Sequence, residues 1–165
     1  MIVKLIKFNK NAVIPVKAYD KDFCYDLVAV SEEEIAPNVW KYGFGIGLQI
    51  ERGVEPIEIF GRIEDVFTTI DLSASPIHLS IDIRPRSSVW KTGMVLSNCE
   101  GTVDEGYTNE ISAVFYHVMP NMPRFKVGDK IAQMKIGFTF PCDFKVVDKL
   151  ADTERGLKGY GSSGR

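Results

Sequence analysis

The chain has 165 residues, 45% hydrophobic and 25% charged, with 20 lysines and arginines against 22 aspartates and glutamates. That length suits one domain burying roughly 70% of the surface its unfolded chain would expose. The near-neutral balance excludes a global electrostatic footprint for nucleic acid or an anionic membrane, so an anionic ligand must be met by local groups.

The N-terminal run alternates apolar residues with Lys4, Lys7 and Lys10. It lacks the uninterrupted apolar stretch of a signal peptide or membrane span, and it reads as a strand over 2–8 that leaves through Asn9-Lys10-Asn11. Cys24, Cys99 and Cys142 are odd in number and lack metal-ligand spacing, which favours reduced thiols and a cytoplasmic location over a disulfide frame. His78 and His117 stand apart in alternating apolar contexts and read as packed or surface side chains.

Further along, Tyr25-Asp26-Leu27-Val28 places an acid at a strand edge. Ser31-Glu32-Glu33-Glu34 predicts a single helical turn that Pro37 stops. Strand-like runs then recur over 44–50, 56–60, 77–83, 111–118, 130–136 and 144–146, with Gly, Pro, Asn and Asp between them. Segments 54–60 and 65–70 have strand character and predict an extra hairpin. No amphipathic segment is long enough for a major helix, so the chain reads as all-β, a sandwich or a distorted barrel.

Four stretches carry candidate chemistry besides Asp26. Arg86-Ser87-Ser88 joins a planar guanidinium to two hydroxyls, a compact anion clamp, although a helix cap explains the two serines equally well. The stretch from Asn98 to Glu110 reads as a β-hairpin between apolar arms. Its tip offers Asp104, Tyr107 and two turn-permissive positions, Gly106 and Asn109, suited to positive φ. In Gly128-Asp129-Lys130-Ile131-Ala132-Gln133-Met134, Gly128-Asp129 reads as a turn into the apolar strand that carries Gln133. The glycine-rich tail, Arg155-Gly156 followed by Gly159-Tyr160-Gly161-Ser162-Ser163-Gly164, reads as a flexible arm.

These five stretches, in this order, resemble the five motifs of the trimeric dUTPase family. The resemblance implies an all-β, distorted jelly-roll subunit in a homotrimer with shared active sites. It implies a nucleotidohydrolase domain over 1–150, with a family-atypical insertion at about 52–76, and a flexible C-terminal arm over 151–165. The implied reaction is magnesium-dependent hydrolysis of dUTP to dUMP and pyrophosphate, which limits uracil in DNA and supplies dUMP.

By the same resemblance, Asp104 would activate the attacking water and Tyr107 would lie against the deoxyribose. Asn98, Thr102 and Val103 would bind the nucleoside. Arg86, Ser87, Ser88, Gln133 and Arg155 would hold the triphosphate, with Tyr160, Gly161, Ser162 and Ser163 closing over it. Asp26 would touch Mg2+ through a water, the metal being held mainly by the triphosphate. No direct contact with nucleic acid or membrane is implied.

Two departures stand out. Asn109 replaces the family's glycine, and Lys21-Asp22-Phe23-Cys24 replaces small residues ahead of Tyr25. The related dCTP deaminases are an alternative, since Gly106-Tyr107 leans toward their spelling. They place a glutamate base where this chain has Thr108, whose hydroxyl accepts no proton near neutral pH. A nucleotide-binding regulatory or interaction protein that uses the 52–76 insertion is a further alternative.

Overall fold

The computed structural model describes residues 2–51, 58–63, 66–71, 78–154 and 156, with the backbone alone given for 58–63 and 66–71. Twelve strands and one short 3-10 turn make up its regular elements. In chain order the strands are β1 (Ile2–Lys7), β2 (Tyr25–Val28), β3 (Ser31–Ala36), β4 (Val39–Gly43), β5 (Ile46–Glu51), β6 (Glu58–Ile63), β7 (Val66–Asp71), β8 (His78–Pro85), β9 (Met94–Leu96), β10 (Gly101–Val103), β11 (Ser112–His117) and β12 (Lys130–Thr139). The 3-10 turn, Ser87–Lys91, follows β8.

Two four-stranded antiparallel sheets dominate, one ordered β10-β8-β12-β2 and the other β3-β4-β11-β9; β1 pairs with β5, and β6 with β7. The expected all-β architecture is present, and among the described strands the sheets do not join into a closed barrel. β6 and β7 form the hairpin that their sequence predicts, with Ile63 opposite Val66.

One buried apolar cluster draws on both large sheets and on the β1-β5 pair. Leu27, Ile81, Ile83 and Met134 come from one side, Tyr42, Leu96, Ala113 and Phe115 from the other, and Ile46 and Leu48 from the third. Alternation along each strand explains the choice, because residues two apart share a face. On β8, Ile81 and Ile83 point inward while Ser80, Asp82 and Arg84 line the opposite face. Tyr42, Phe115 and Phe125 meet edge to face with centroids 5.6 to 6.4 Å apart. Burial pushes the Tyr42 phenol up from its ordinary pKa, and its hydroxyl donates to the Phe125 carbonyl at 2.9 Å.

Two expectations fail. Ser31 to Glu34 form no helical turn: they lie in β3, paired with β4 from Ser31 opposite Gly43 to Glu34 opposite Trp40. The strand turns back through Pro37 and Asn38, whose left-handed φ of 60° asparagine tolerates better than most residues. Segment 144–146 forms no strand. Phe144 and Val146 are 95% and 97% exposed, and no described sheet edge within the chain accepts them.

Candidate active site

At the end of β8 the chain enters the 3-10 turn, with Arg86 as its cap residue and no side-chain capping bond. The serines Ser87 and Ser88 are therefore not caps; they stand at the start of the turn beside Arg86. β12 lies between β8 and β2, so Gln133 is opposite Arg84 on one side and Asp26 on the other. This register gathers the first, second and fourth candidate stretches into one cluster.

Asp26 is 9% exposed. Its Oδ1 is 2.9 Å from Arg86 Nε, and its Oδ2 is 2.9 Å from Lys130 Nζ. Oδ2 nevertheless lies buried without a hydrogen bond, so the lysine supplies charge without a well-aligned donor. Gln133 Nε2 donates to the Pro85 carbonyl at 3.3 Å, fixing the amide beside the turn. The turn Gly128-Asp129 feeds β12 as expected: Gly128 has φ of 94°, and the Asp129 carboxylate accepts from the Lys126 amide at 2.8 Å.

The stretch from Asn98 to Glu110 differs from a simple hairpin. Its arms, β9 and β11, do pair, with Leu96 opposite Phe115. Between them the chain crosses to the other large sheet, where β10 pairs with β8 from Gly101 opposite Ile83 to Val103 opposite Ile81. The positive φ falls on Cys99 at 58°, not on Gly106 or Asn109, because the sharpest reversal lies where the chain leaves β9.

This crossing leaves a cavity of about 110 Å³ between the two sheets, lined by Ile83, Leu96, Asn98, Gly101, Ser112 and Val114 among others. β10, which carries Thr102 and Val103, is the outer strand of its sheet, so among the described strands the backbone groups of alternate residues have no strand partner. Asp104 follows directly and is exposed. Tyr107 is 45% exposed and donates its hydroxyl to the Glu110 carbonyl at 3.0 Å, which sets the ring at the end of the strap. Glu110 Oε1 in turn accepts from the Gly45 amide at 2.8 Å.

Several contacts brace these parts. Arg84 clamps Glu100 with Nε and Nη2, both at 2.5 Å, tying the segment that bears Asn98 to β8; that bond raises the arginine's pKa. His78 Nδ1 stands 3.4 Å from Glu105 Oε2, beside Asp104. Arg124 stacks 3.5 Å from the Trp40 ring centroid, binds Glu32 at 2.9 Å and donates to the Phe125 carbonyl at 2.9 Å. The Arg124 hydrogen bond holds the Glu32 carboxyl below its ordinary pKa.

Lys130 and Arg84 were not singled out from sequence as site residues. A basic residue directly after Gly128-Asp129 is the only signal for Lys130; the backbone irregularity that aims it leaves none. Arg155, Tyr160, Gly161, Ser162 and Ser163 lie outside the described residues.

The dUTPase family model matches residues 43–164. The chain belongs to the dUTPase family. It is 30% identical over 166 residues to the deoxyuridine 5'-triphosphate nucleotidohydrolase of Picosynechococcus sp., covering 99% of both chains. It is 33% identical to the corresponding protein of Clostridium kluyveri, over 99% of this chain and 97% of that one. Among solved structures, a mutant of the Staphylococcus bacteriophage 80alpha dUTPase with dUpNHpp matches with a TM-score of 0.73 at 19% identity, covering 99% of each chain. The dUTPase from phage phi11 of S. aureus matches with a TM-score of 0.64 at 15% identity, over 93% of this chain and all of that one. At those identities the structural likeness speaks for the fold.

Proposed function

We propose that this dUTPase-family chain hydrolyses dUTP to dUMP and pyrophosphate, in a cytoplasmic homotrimer whose active sites are shared between copies. The observation that carries the reading is an exposed Asp104 on the segment that leaves the cavity at Asn98 and Gly101, on a chain whose separate cationic cluster suits a triphosphate. Asp104 takes a proton from water as the water oxygen attacks the α-phosphorus. The bond from that phosphorus to the bridging oxygen breaks, and pyrophosphate leaves. The cavity beside Asn98 and the free edge of β10, the strand of Thr102 and Val103, receive the uracil, and Tyr107 packs on the deoxyribose. Arg86, Ser87, Ser88 and Gln133 hold phosphate oxygens and offset the charge that develops on them.

Residues 1–150 act as the catalytic domain and 151–165 as the arm, which brings Arg155, Tyr160, Gly161, Ser162 and Ser163 over the triphosphate. The segment at 52–76 is an insertion.

Register supports sharing between copies. Asp104 follows Val103, which is opposite Ile81, and so lies level with Ser80; Asp26 lies level with Arg84, three strands across. At about 3.3 Å per residue and 4.8 Å per strand, the base and the cationic cluster of one chain are about 20 Å apart. A triphosphate is too short to bridge that distance, so a site needs the base of one copy and the clamp of another. Exposed Phe138, Phe140, Phe144 and Leu150 offer apolar surface for such an assembly.

The residues present fit a magnesium ion held outside the protein's own ligand shell. Among the described residues no group of three or more His, Cys, Asp and Glu gathers to cage a metal, while the buried Asp26 Oδ2 is an acceptor without a hydrogen bond. Asp26 would hold the ion through water, and the ion would neutralise phosphate charge.

The test is incubation with magnesium and, separately, dUTP, dCTP, dTTP and UTP, followed by chromatography of the nucleotides and a pyrophosphate assay. Release of dUMP and pyrophosphate from dUTP is expected. Conversion of dCTP to dUTP would show a deaminase, and dUTP binding without turnover would show a nucleotide-binding regulator.

A further inference from the structure

The pairing of β12 with β2 contains an irregularity at the cationic cluster. Lys130 is opposite Val28 and Ala132 is opposite Leu27, so Ile131 is an extra residue without a partner on β2. Ile131 and Ala132 are both fully buried, in consecutive positions. In a regular strand, residues alternate between faces; counting back from Gln133, Lys130 would then point into the core. The bulge reverses that and turns Lys130 onto the face that holds Asp26, Arg86 and Gln133. Bulges that re-aim a side chain in this way gather beside active sites.

The contact Lys130 makes there is a close ion pair and not an aligned hydrogen bond. Its ammonium stands 2.9 Å from Asp26 Oδ2, yet that oxygen has no hydrogen bond, and the lysine side chain is 48% exposed. Arg86, by contrast, meets the other oxygen at 2.9 Å through Nε, which leaves its two terminal nitrogens for other acceptors.

We propose that Lys130 is a substrate-binding residue, a third cation of the triphosphate site. It is held on Asp26 in the free protein and passes to phosphate oxygens when the nucleotide enters. The proposal rests on the dUTP-hydrolysing reading. The four-carbon stem allows the short swing required, and the ammonium has three donors, so contact with phosphate needs no change in backbone. Asp26 thereby stores two cations in position, and its carboxylate becomes available for the water shell of the incoming nucleotide complex as Lys130 leaves it.

The experiment compares Lys130→Met and Lys130→Arg with the unmodified protein. Calorimetry measures affinity for the magnesium complex of a non-hydrolysable imido analogue of dUTP and, separately, for dUMP, which lacks the β- and γ-phosphates; kcat and KM are measured for dUTP. Lys130→Met is expected to weaken the analogue and raise KM by about tenfold, to leave dUMP affinity within about twofold, and to be largely rescued by Lys130→Arg. A cooperatively melting Lys130→Met with unchanged analogue affinity would overturn the assignment, as would equal losses for the analogue and dUMP. If Lys130→Met fails to fold, Lys130→Gln, which keeps a polar head beside Asp26, serves for the same comparison. Failure of the unmodified protein to bind or hydrolyse dUTP would instead overturn the underlying reading, and this proposal with it.

Discussion

Nε of Arg86 and Oδ1 of Asp26 stand 2.9 Å apart, joining a residue at the end of β8 to one on the far edge strand β2. Asp26 is also the counter-ion of Lys130, so its carboxylate sits between two cations. Asp26→Asn keeps the shape and removes the charge. It should cost about 1 to 2 kcal/mol of stability, because the two cations it leaves are partly solvated and only part of their repulsion is felt. Thermal unfolding at low and high salt checks this. The deficit should shrink in high salt as the Arg86–Lys130 repulsion is screened.

Arg124 ties the segment before β12 to the β3-β4 hairpin through Glu32, Trp40 and the Phe125 carbonyl. Arg124→Ala should destabilise by about 2 to 4 kcal/mol, since it removes a stacked cation and leaves the half-buried Glu32 without its main partner. The effect should depend on pH. Glu32 has a folded-state pKa below its ordinary value of 4.5, so the pair contributes fully above that value and loses its contribution as pH falls through the depressed one. Denaturant titrations across the acid range should show the variant and the unmodified protein converging at low pH.

Gly47 lies under the strap. A Cβ there would meet Phe8 Cε2 and the Thr108 carbonyl oxygen, each at 2.7 Å. The ring can turn aside, but the carbonyl belongs to the backbone just after Tyr107. Gly47→Ala should cost about 1 to 3 kcal/mol and should raise KM for dUTP by displacing Tyr107. Chemical denaturation and steady-state kinetics give the two readouts.

Separate placement of Asp104 and Arg86 predicts complementation. Asp104→Asn and Arg86→Ala should each be nearly inactive alone. Mixed oligomers formed by co-expression should regain activity, because some sites receive Asp104 from one variant and Arg86 from the other. Sites contained within one chain would give no recovery.

Much of this was legible in the sequence because strand alternation and turn chemistry are local. The β1 strand and its Asn9 exit, the Gly128-Asp129 turn and the β6-β7 hairpin all follow from residues within a few positions of each other. The β3 strand was misread because Ser31 followed by acidic residues suits a helix start, while pairing with β4 and the Arg124 bond to Glu32 come from distant residues that override local preference. Segment 144–146 has strand composition, but a strand needs an edge to pair with, and among the described residues none pairs with it. At the site, motif order marked Asp26, Arg86 and Gln133, and cross-strand register then brought them together. Lys130 was missed because a bulge is a property of the pairing and not of either strand alone.

The most direct measurement is dUTP turnover by Asp104→Asn beside its affinity for the non-hydrolysable analogue. A general base contributes about 10²- to 10⁴-fold in rate, so kcat should fall by that factor, while analogue affinity stays near that of the unmodified protein. A folded Asp104→Asn that hydrolyses dUTP at the unmodified rate would contradict the assignment of Asp104 as the base, and with it the mechanism proposed for this chain.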